Sequence, residues 1–334
     1  MALATPYLMF VGDAPDQLAA KVAIGVVHWR PEWCKGQLRL AGCKADLGIP
    51  DMTIADAVKA GCKTMVIGVA NRGGVIPDNW VGVIVEAIEA GMDVAAGLHR
   101  RLRDVPAIAG AAARHGRTLT DARHPSRDFD VASGQSRSGR RILTVGTDVS
   151  VGKMFTSLAI EREMKARGMK ADFRATGQTG IFIAGDAASV DAVVADFIAG
   201  AAEWLTPAND PDHWDVVEGQ GSLFHASYSG VTLGLIHGAR PHALVLCHDA
   251  ARLEMRGTPG VPVPALEDCI AVNERMAQMF EPDAKVIGVS VNTSSMDAAR
   301  ATQYLAEVSE RLNLPAVDAV RTGVAPIVDA IEKL

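Results

Sequence analysis

One stretch of the chain carries most of its readable chemistry. It runs Gly146-Thr147-Asp148-Val149-Ser150-Val151-Gly152-Lys153, between an apolar run and a helix-forming segment. Glycines at a strand-to-helix turn let backbone N–H groups face inward, and the helix start adds the positive end of its dipole, so this loop is fitted to hold phosphate. Lys153 supplies a point charge for a bridging or terminal phosphate. Two features depart from the simplest pattern. Five residues, not four, separate the glycines, and Met154 stands where a Ser or Thr hydroxyl would bind Mg²⁺. A thioether does not replace a hard oxygen ligand, and Thr156 and Ser157 are expected on the wrong side of the helix to do so. The loop is therefore expected to grip phosphates without a metal, and no metal site is expected elsewhere.

Further candidates follow apolar runs that read as strands. Asp215-Val-Val-Glu218-Gly-Gln220-Gly-Ser222 places Glu218 at a strand end, where a parallel sheet collects its ligands. P-loop enzymes place a metal or water partner there; Gln220, Ser222 and His225 lie on the same loop and are further candidates. Arg174-Ala-Thr-Gly-Gln178 offers Arg174, in fork geometry for a carboxylate, together with Gln178. Arg252 and Arg256, four apart on a segment read as helical, present two cations to an anionic substrate. Asn292, after the run Lys285–Val291, is placed to read an adenine edge. Cys247 and His248 suggest thiol catalysis, but neighbours on a strand point to opposite faces and cannot readily pair. Asn71-Arg72-Gly73-Gly74 and Gly97-Leu98-His99 read equally as cleft loops or as ordinary glycine turns.

The elements that must position these groups alternate. Tyr7–Val11, Val22–Val27, Thr64–Val69 and Asp93–Ala96 read as strands, and Ile54–Ala60, Trp80–Ala90 and Val105–His115 as helices, with Asp78 expected to cap the second. Downstream, Arg141–Val145, Ala171–Arg174, Trp214–Val217, Ala243–Cys247 and Lys285–Val291 are short apolar runs of the doubly buried kind. They are separated by helical segments at Lys153–Arg167, Ala188–Trp204, Leu266–Phe280 and Asp297–Leu312. In the first of these, Phe155, Leu158, Ala159 and Arg162 share one face. This alternation predicts parallel sheets. The small, polar, basic run Ser133–Arg141 reads as an exposed linker. The expected fold is α/β: a Rossmann-like N-terminal domain over 1–134, then a P-loop NTPase-like parallel-sheet domain over 135–334.

Composition bounds the rest. A length of 334 residues suits two domains. The charge, 33 − 39 = −6, gives no basic footprint for nonspecific nucleic-acid binding. With aromatics at 5%, the core must be aliphatic. Five scattered cysteines with no Cys-x-x-Cys pair read as reduced thiols rather than a disulfide framework or zinc site. The first residues lack a secretory pattern, and no run approaches membrane-spanning length, so a cytoplasmic protein without a membrane partner is expected. Homo-oligomerisation is expected as a general prior for enzymes of this kind.

The motifs GTDVSVGKM, ATGQTG, VVEGQGSL and VIGVSVNTSSMD, with VIGVANRGGVIPDNW, GLHRRL and TDARHP upstream, resemble a bacterial family nearly end to end, from about Ile49 to Asp297. That family was long known only as P-loop proteins of unknown function and includes D-glutamate N-acetyltransferases; a Met after the P-loop Lys is typical of it. More remotely, GTD-x-x-VGK and VEG-x-G resemble dethiobiotin synthetase and related ligases. The first resemblance implies an acyltransferase that moves the acetyl group of acetyl-CoA to the amine of D-glutamate, in D-amino-acid catabolism. Gly146 through Lys153 and Met154 would then face the CoA phosphates, with Asn292 touching adenine. Arg174, Arg252 or Arg256 would take the substrate carboxylates, Glu218 or His225 would act as the base that frees the amine, and N–H groups of Gly219–Gly221 would stabilise the oxyanion. Two rivals stay open: an ATP- and Mg²⁺-dependent ligase or kinase, suggested by the second resemblance, and a nucleotide-sensing or partner-binding protein with a degenerate P-loop and no catalysis.

Overall fold

Eleven short strands, all paired in parallel, build two separate sheets among the described residues. This computed structural model describes residues 3–71, 73–124, 127–184 and 187–334. Within the motifs above, Arg72 and Pro125 lie outside that set. The chain divides into two units, one of residues 1–126 with 177–192, the other of 127–176 with 193–334. The excursion at 177–192 has no counterpart in the sequence pattern, which runs straight through it.

In the first unit, strands β1 (Tyr7–Gly12), β2 (Cys34–Arg39), β3 (Thr64–Ile67), β4 (Asp93–Ala96) and β5 (Leu119–Asp121) lie in the order β2-β1-β3-β4-β5. Every residue of β1 and β3 is buried, as expected of strands covered on both faces. The run expected as a strand at Val22–Val27 is instead the core of a helix, Lys21–Trp29. Its buried positions 22, 23, 26 and 29 follow helical spacing, and that packing overrides the β-branched composition. The second strand is β2, whose sequence CKGQLR lacks apolar alternation. Its buried Gln37 is satisfied by the Asp46 carboxylate, the Ile49 carbonyl and the Leu47 N–H. Asp78 does not cap its helix: it is the first residue of Asp78–Glu89, with Pro77 at the cap. Thr53 and Asp56 form a reciprocal capping box on the helix Ile54–Lys59.

In the second unit, β6 (Arg140–Gly146), β7 (Ala171–Arg174), β8 (Trp214–Val217), β9 (Ala243–Asp249), β10 (Lys285–Asn292) and β11 (Ala316–Val317) take the order β11-β10-β9-β6-β8-β7. The phosphate-loop strand β6 is therefore interior, and its successor β7 lies at the far edge, leaving room for β8 between them. The five apolar runs of this half of the sequence coincide with β6 to β10 within one or two residues. The run Ser133–Arg141 is not a free linker. Ser133 donates to Glu203, and the Arg137 guanidinium donates to Thr206 and to the Gly238 carbonyl. On the helix Lys153–Ala166 the buried face includes Thr156, Ser157, Leu158, Ile160 and Met164, while Arg162 is exposed and Phe155 half-buried. That face is broader and more polar than the expected stripe because the helix lies against sheet hydroxyls.

Candidate functional site at the phosphate-loop strand ends

Because all six strands of the second unit are parallel, their C-terminal ends form one row. Gly146 pairs in register with Cys247, and Asp249 with Asn292, so the loops after β6, β9 and β10 are neighbours. The loop after β6 turns at Ser150 and Gly152, both with positive φ (55° and 98°), and enters its helix at Lys153. A side chain at Gly146 would fall 2.8 Å from the Lys153 Nζ, and one at Gly219 would fall 1.7 Å from the Thr144 carbonyl oxygen. Glycine at these two positions is what allows the loops after β6 and β8 to close around the lysine.

Lys153 is 7% exposed and donates to the Asp148 carbonyl at 2.8 Å. Burial lowers its pKa to about 8, against the smaller opposing pull of Asp148 and Glu218. Such a desolvated ammonium gains by receiving an anion. Thr156 Oγ1 bonds the Gly152 carbonyl and Ser290, and Ser157 bonds Thr144. The Ser157 hydroxyl thus faces the sheet, and that of Thr156 is taken up between the last loop glycine and the sheet. Met154 is half-buried at the first turn. Among the described residues no group of three or more metal-ligating side chains occurs.

The candidate cations are mostly committed to carboxylates. Arg174 Nε donates to Asp215 Oδ1 at 2.7 Å. Arg252 Nη1 donates to Asp148 Oδ2 at 2.8 Å and to the Val149 carbonyl at 2.6 Å. The segment carrying Arg252 and Arg256 is not helical; it is an irregular loop with one antiparallel bridge, Glu254 to Pro262. The Arg256 N–H, too, goes to Asp148, while its side chain is exposed. Gln178 belongs to the first unit, where it heads the helix Gln178–Ala184 and packs on Gly97.

Glu218 is 4% exposed, with Oε2 accepting the Thr176 N–H at 3.0 Å and Oε1 near the Gln220 amide at 3.3 Å. His225 is fully engaged. Its Nδ1 accepts the Ser227 N–H at 3.1 Å, so Nε2 carries the proton and donates to the Arg256 carbonyl at 2.9 Å. A ring that already donates and accepts has no free lone pair for an incoming proton. Ser222 is buried, bonding the Thr147 carbonyl and the Phe224 N–H. The Gly219 N–H donates to Thr144 Oγ1 at 2.9 Å, which removes it from an oxyanion site. Cys247 is fully buried with its thiol pushed up to about 11, unsuited to nucleophilic attack. His248 faces the other way, onto Thr147.

Beside Gly152 lies a cavity of about 340 Å³, lined by Phe155, Thr156, Asn292, Ser294, Asp318 and Arg321 among others. Asn292 Oδ1 accepts the Ser294 N–H at 3.1 Å, which leaves its amide N–H₂ as donor. Asp318 had no reading in the sequence. Its carboxylate accepts the N–H groups of Thr293, Val320 and Arg321, fixing the loop that walls the cavity. The spacing Asp318-x-Val320-Arg321 is that of an Asx turn, the one signal that could have found it.

A parallel sheet with a glycine-and-lysine loop after an interior strand, joined to a second parallel sheet without such a loop, defines a P-loop protein with a Rossmann-like companion unit. The chain belongs to the DUF1611 family: its P-loop domain, described as a domain of unknown function, matches residues 130–328, and the family's Rossmann-like N-terminal domain matches 38–125. A crystal structure of a DUF1611 family protein from Anabaena variabilis superposes with a TM-score of 0.89 at 31% identity, covering 99% of this chain and 100% of that one. Among curated proteins, a D-glutamate N-acetyltransferase of Tritonibacter scottomollicae is 56% identical over 98% of both chains. Another of that name, from Pseudoalteromonas sp., is 45% identical over 98% of this chain and 99% of its own.

Proposed function

We propose that this protein is a D-glutamate N-acetyltransferase that uses acetyl-CoA as donor. The observation that carries the reading is a phosphate loop whose lysine is buried and whose following residue is Met154, in a chain matching enzymes of that name from end to end. The residues present fit a CoA-type donor: a desolvated ammonium for phosphate, and an adjoining cavity of about 340 Å³ in which Asn292 offers its amide and Phe155 its ring. Bound acetyl-CoA would supply an acetyl group already activated as a thioester. The chain's own residues then have two tasks. The loop from Gly146 to Lys153 holds the anionic end, and a base frees the acceptor amine.

Glu218 is that base. A carboxylate buried at the end of β8, beside the phosphate loop, is the kind of group that takes a proton from a substrate ammonium. His225 is left with a structural part. The same reading carries a catabolic setting, a cytoplasmic location and assembly as a homo-oligomer. No helix among the described residues is long and apolar enough to cross a membrane.

The test is thiol release from acetyl-CoA with the purified protein in excess EDTA, run with D- and L-glutamate. Release that depends on D-glutamate and persists in EDTA is expected. ATP consumption that needs Mg²⁺, with no thiol released, would instead establish the ligase or kinase reading.

A further inference from the structure

The buried carboxylate of Asp148 sits inside a loop whose task is to bind anions, and the structure shows what makes that tolerable. Asp148 is 0% exposed. Its Oδ1 accepts the Val149 N–H at 2.7 Å, and its Oδ2 accepts both Arg252 Nη1 and the Arg256 N–H, each at 2.8 Å. The same guanidinium reaches the Val149 carbonyl at 2.6 Å and the Ser150 carbonyl at 3.5 Å. One side chain therefore ties down three consecutive residues of the phosphate loop, the last of them in a left-handed conformation. His225 holds the other end of the strap through the Arg256 carbonyl.

We propose that Arg252 is a positioning residue for the donor: it neutralises Asp148 and fixes the phosphate loop, rather than binding the carboxylates of the acceptor. The proposal rests on the loop being the donor site and goes further by assigning the residue that sets its charge. Burial alone would raise the carboxyl pKa, yet Arg252 and the two N–H groups hold it below the ordinary range, so it remains an anion at neutral pH. With Arg252 neutralising it, the loop presents the net charge of Lys153. Without Arg252, an uncompensated carboxylate shares the loop with the incoming phosphates, and the carbonyls at 149 and 150 lose their tether. Arg252 is half-buried against the loop and is also drawn to Asp249, at 3.6 Å, so its fork has little freedom to serve another anion.

The experiment measures calorimetric affinity for CoA and for inorganic pyrophosphate, which needs only the loop, alongside KM for each substrate. Arg252→Met is expected to raise the CoA Kd and the acetyl-CoA KM by about tenfold or more, with the D-glutamate KM changed less than about twofold. Asp148→Asn placed on top of it is expected to recover about threefold or more of the lost affinity, because the repulsive charge is gone. A rise confined to the D-glutamate KM, or a double variant no tighter than Arg252→Met, overturns the proposal. Should Arg252→Met fail to fold, Arg252→Lys keeps the charge but not the fork. It is then expected to weaken pyrophosphate by about threefold, and an unchanged Kd would remove the fork from the account. Wild-type protein that binds pyrophosphate but not CoA would refute the acetyl-CoA reading while leaving this proposal to be decided on pyrophosphate.

Discussion

At the scale of single residues, the loop trades stability for affinity. A lysine whose pKa falls from 10.5 to about 8 on folding destabilises the fold by roughly 3 kcal/mol at neutral pH. The unfolded chain holds more protons between those two values, so this penalty shrinks as pH rises from about 8 to 10.5. Lys153→Met is therefore expected to raise the melting temperature of the ligand-free protein at pH 7 while abolishing measurable CoA binding. The stabilisation should fade toward pH 10.5, and a variant that melts lower at pH 7 would show that Lys153 is not desolvated. Glu218→Gln keeps the shape of the site and removes the proposed proton acceptor. Its kcat is expected to fall about a hundredfold or more with acetyl-CoA KM nearly unchanged, as steady-state kinetics would show. A residue's type was legible in the sequence, but its commitments were not. Arg174 and Arg252 read as free cations because Asp215 and Asp148 lie 41 and 104 residues away along the chain, and no local spacing reveals such partners.

At the scale of elements, legibility followed burial. The doubly buried strands β6, β8 and β9 stand out as apolar runs, whereas β2, with a buried but hydrogen-bonded Gln37, carries no such mark. The helix Lys21–Trp29 reads as a strand because six consecutive residues, VAIGVV, satisfy a strand by composition and a helix by spacing. Two substitutions test how elements hold the site. Thr53→Ala removes a capping box of the first unit and is expected to cost about 1 kcal/mol without altering CoA affinity. Gly219→Ala places a methyl group where the Thr144 carbonyl already stands, so the loop after β8 must shift. A marked loss of melting temperature together with weakened CoA binding is expected, and a variant indistinguishable from wild type by calorimetry would disprove the close approach.

At the scale of the whole molecule, the second unit offers more than one cavity. A second, of about 410 Å³, is lined by Arg140, Trp214 and His242 at the N-terminal ends of its strands, opposite the phosphate loop. A ligand bound at 100 times its Kd stabilises the state that holds it by about 2.7 kcal/mol. Hydrogen exchange with and without CoA is thus expected to show protection at residues 146–157, 249–256 and 318–321, with the segment around His242 unchanged. The opposite pattern would move the donor site to the other end of the sheet.

The excursion at 177–192 reaches further than its sixteen residues suggest. Each unit is assembled from two separate lengths of polypeptide, so no single cut in the coding sequence releases either one whole. A fragment ending at residue 126 would lack the helix Gln178–Ala184, and a fragment starting at 127 would carry that helix without the partner it packs on, the helix Lys21–Trp29. Modular shuffling, which lets many paired folds exchange halves during evolution, is closed to this architecture unless both crossings move together.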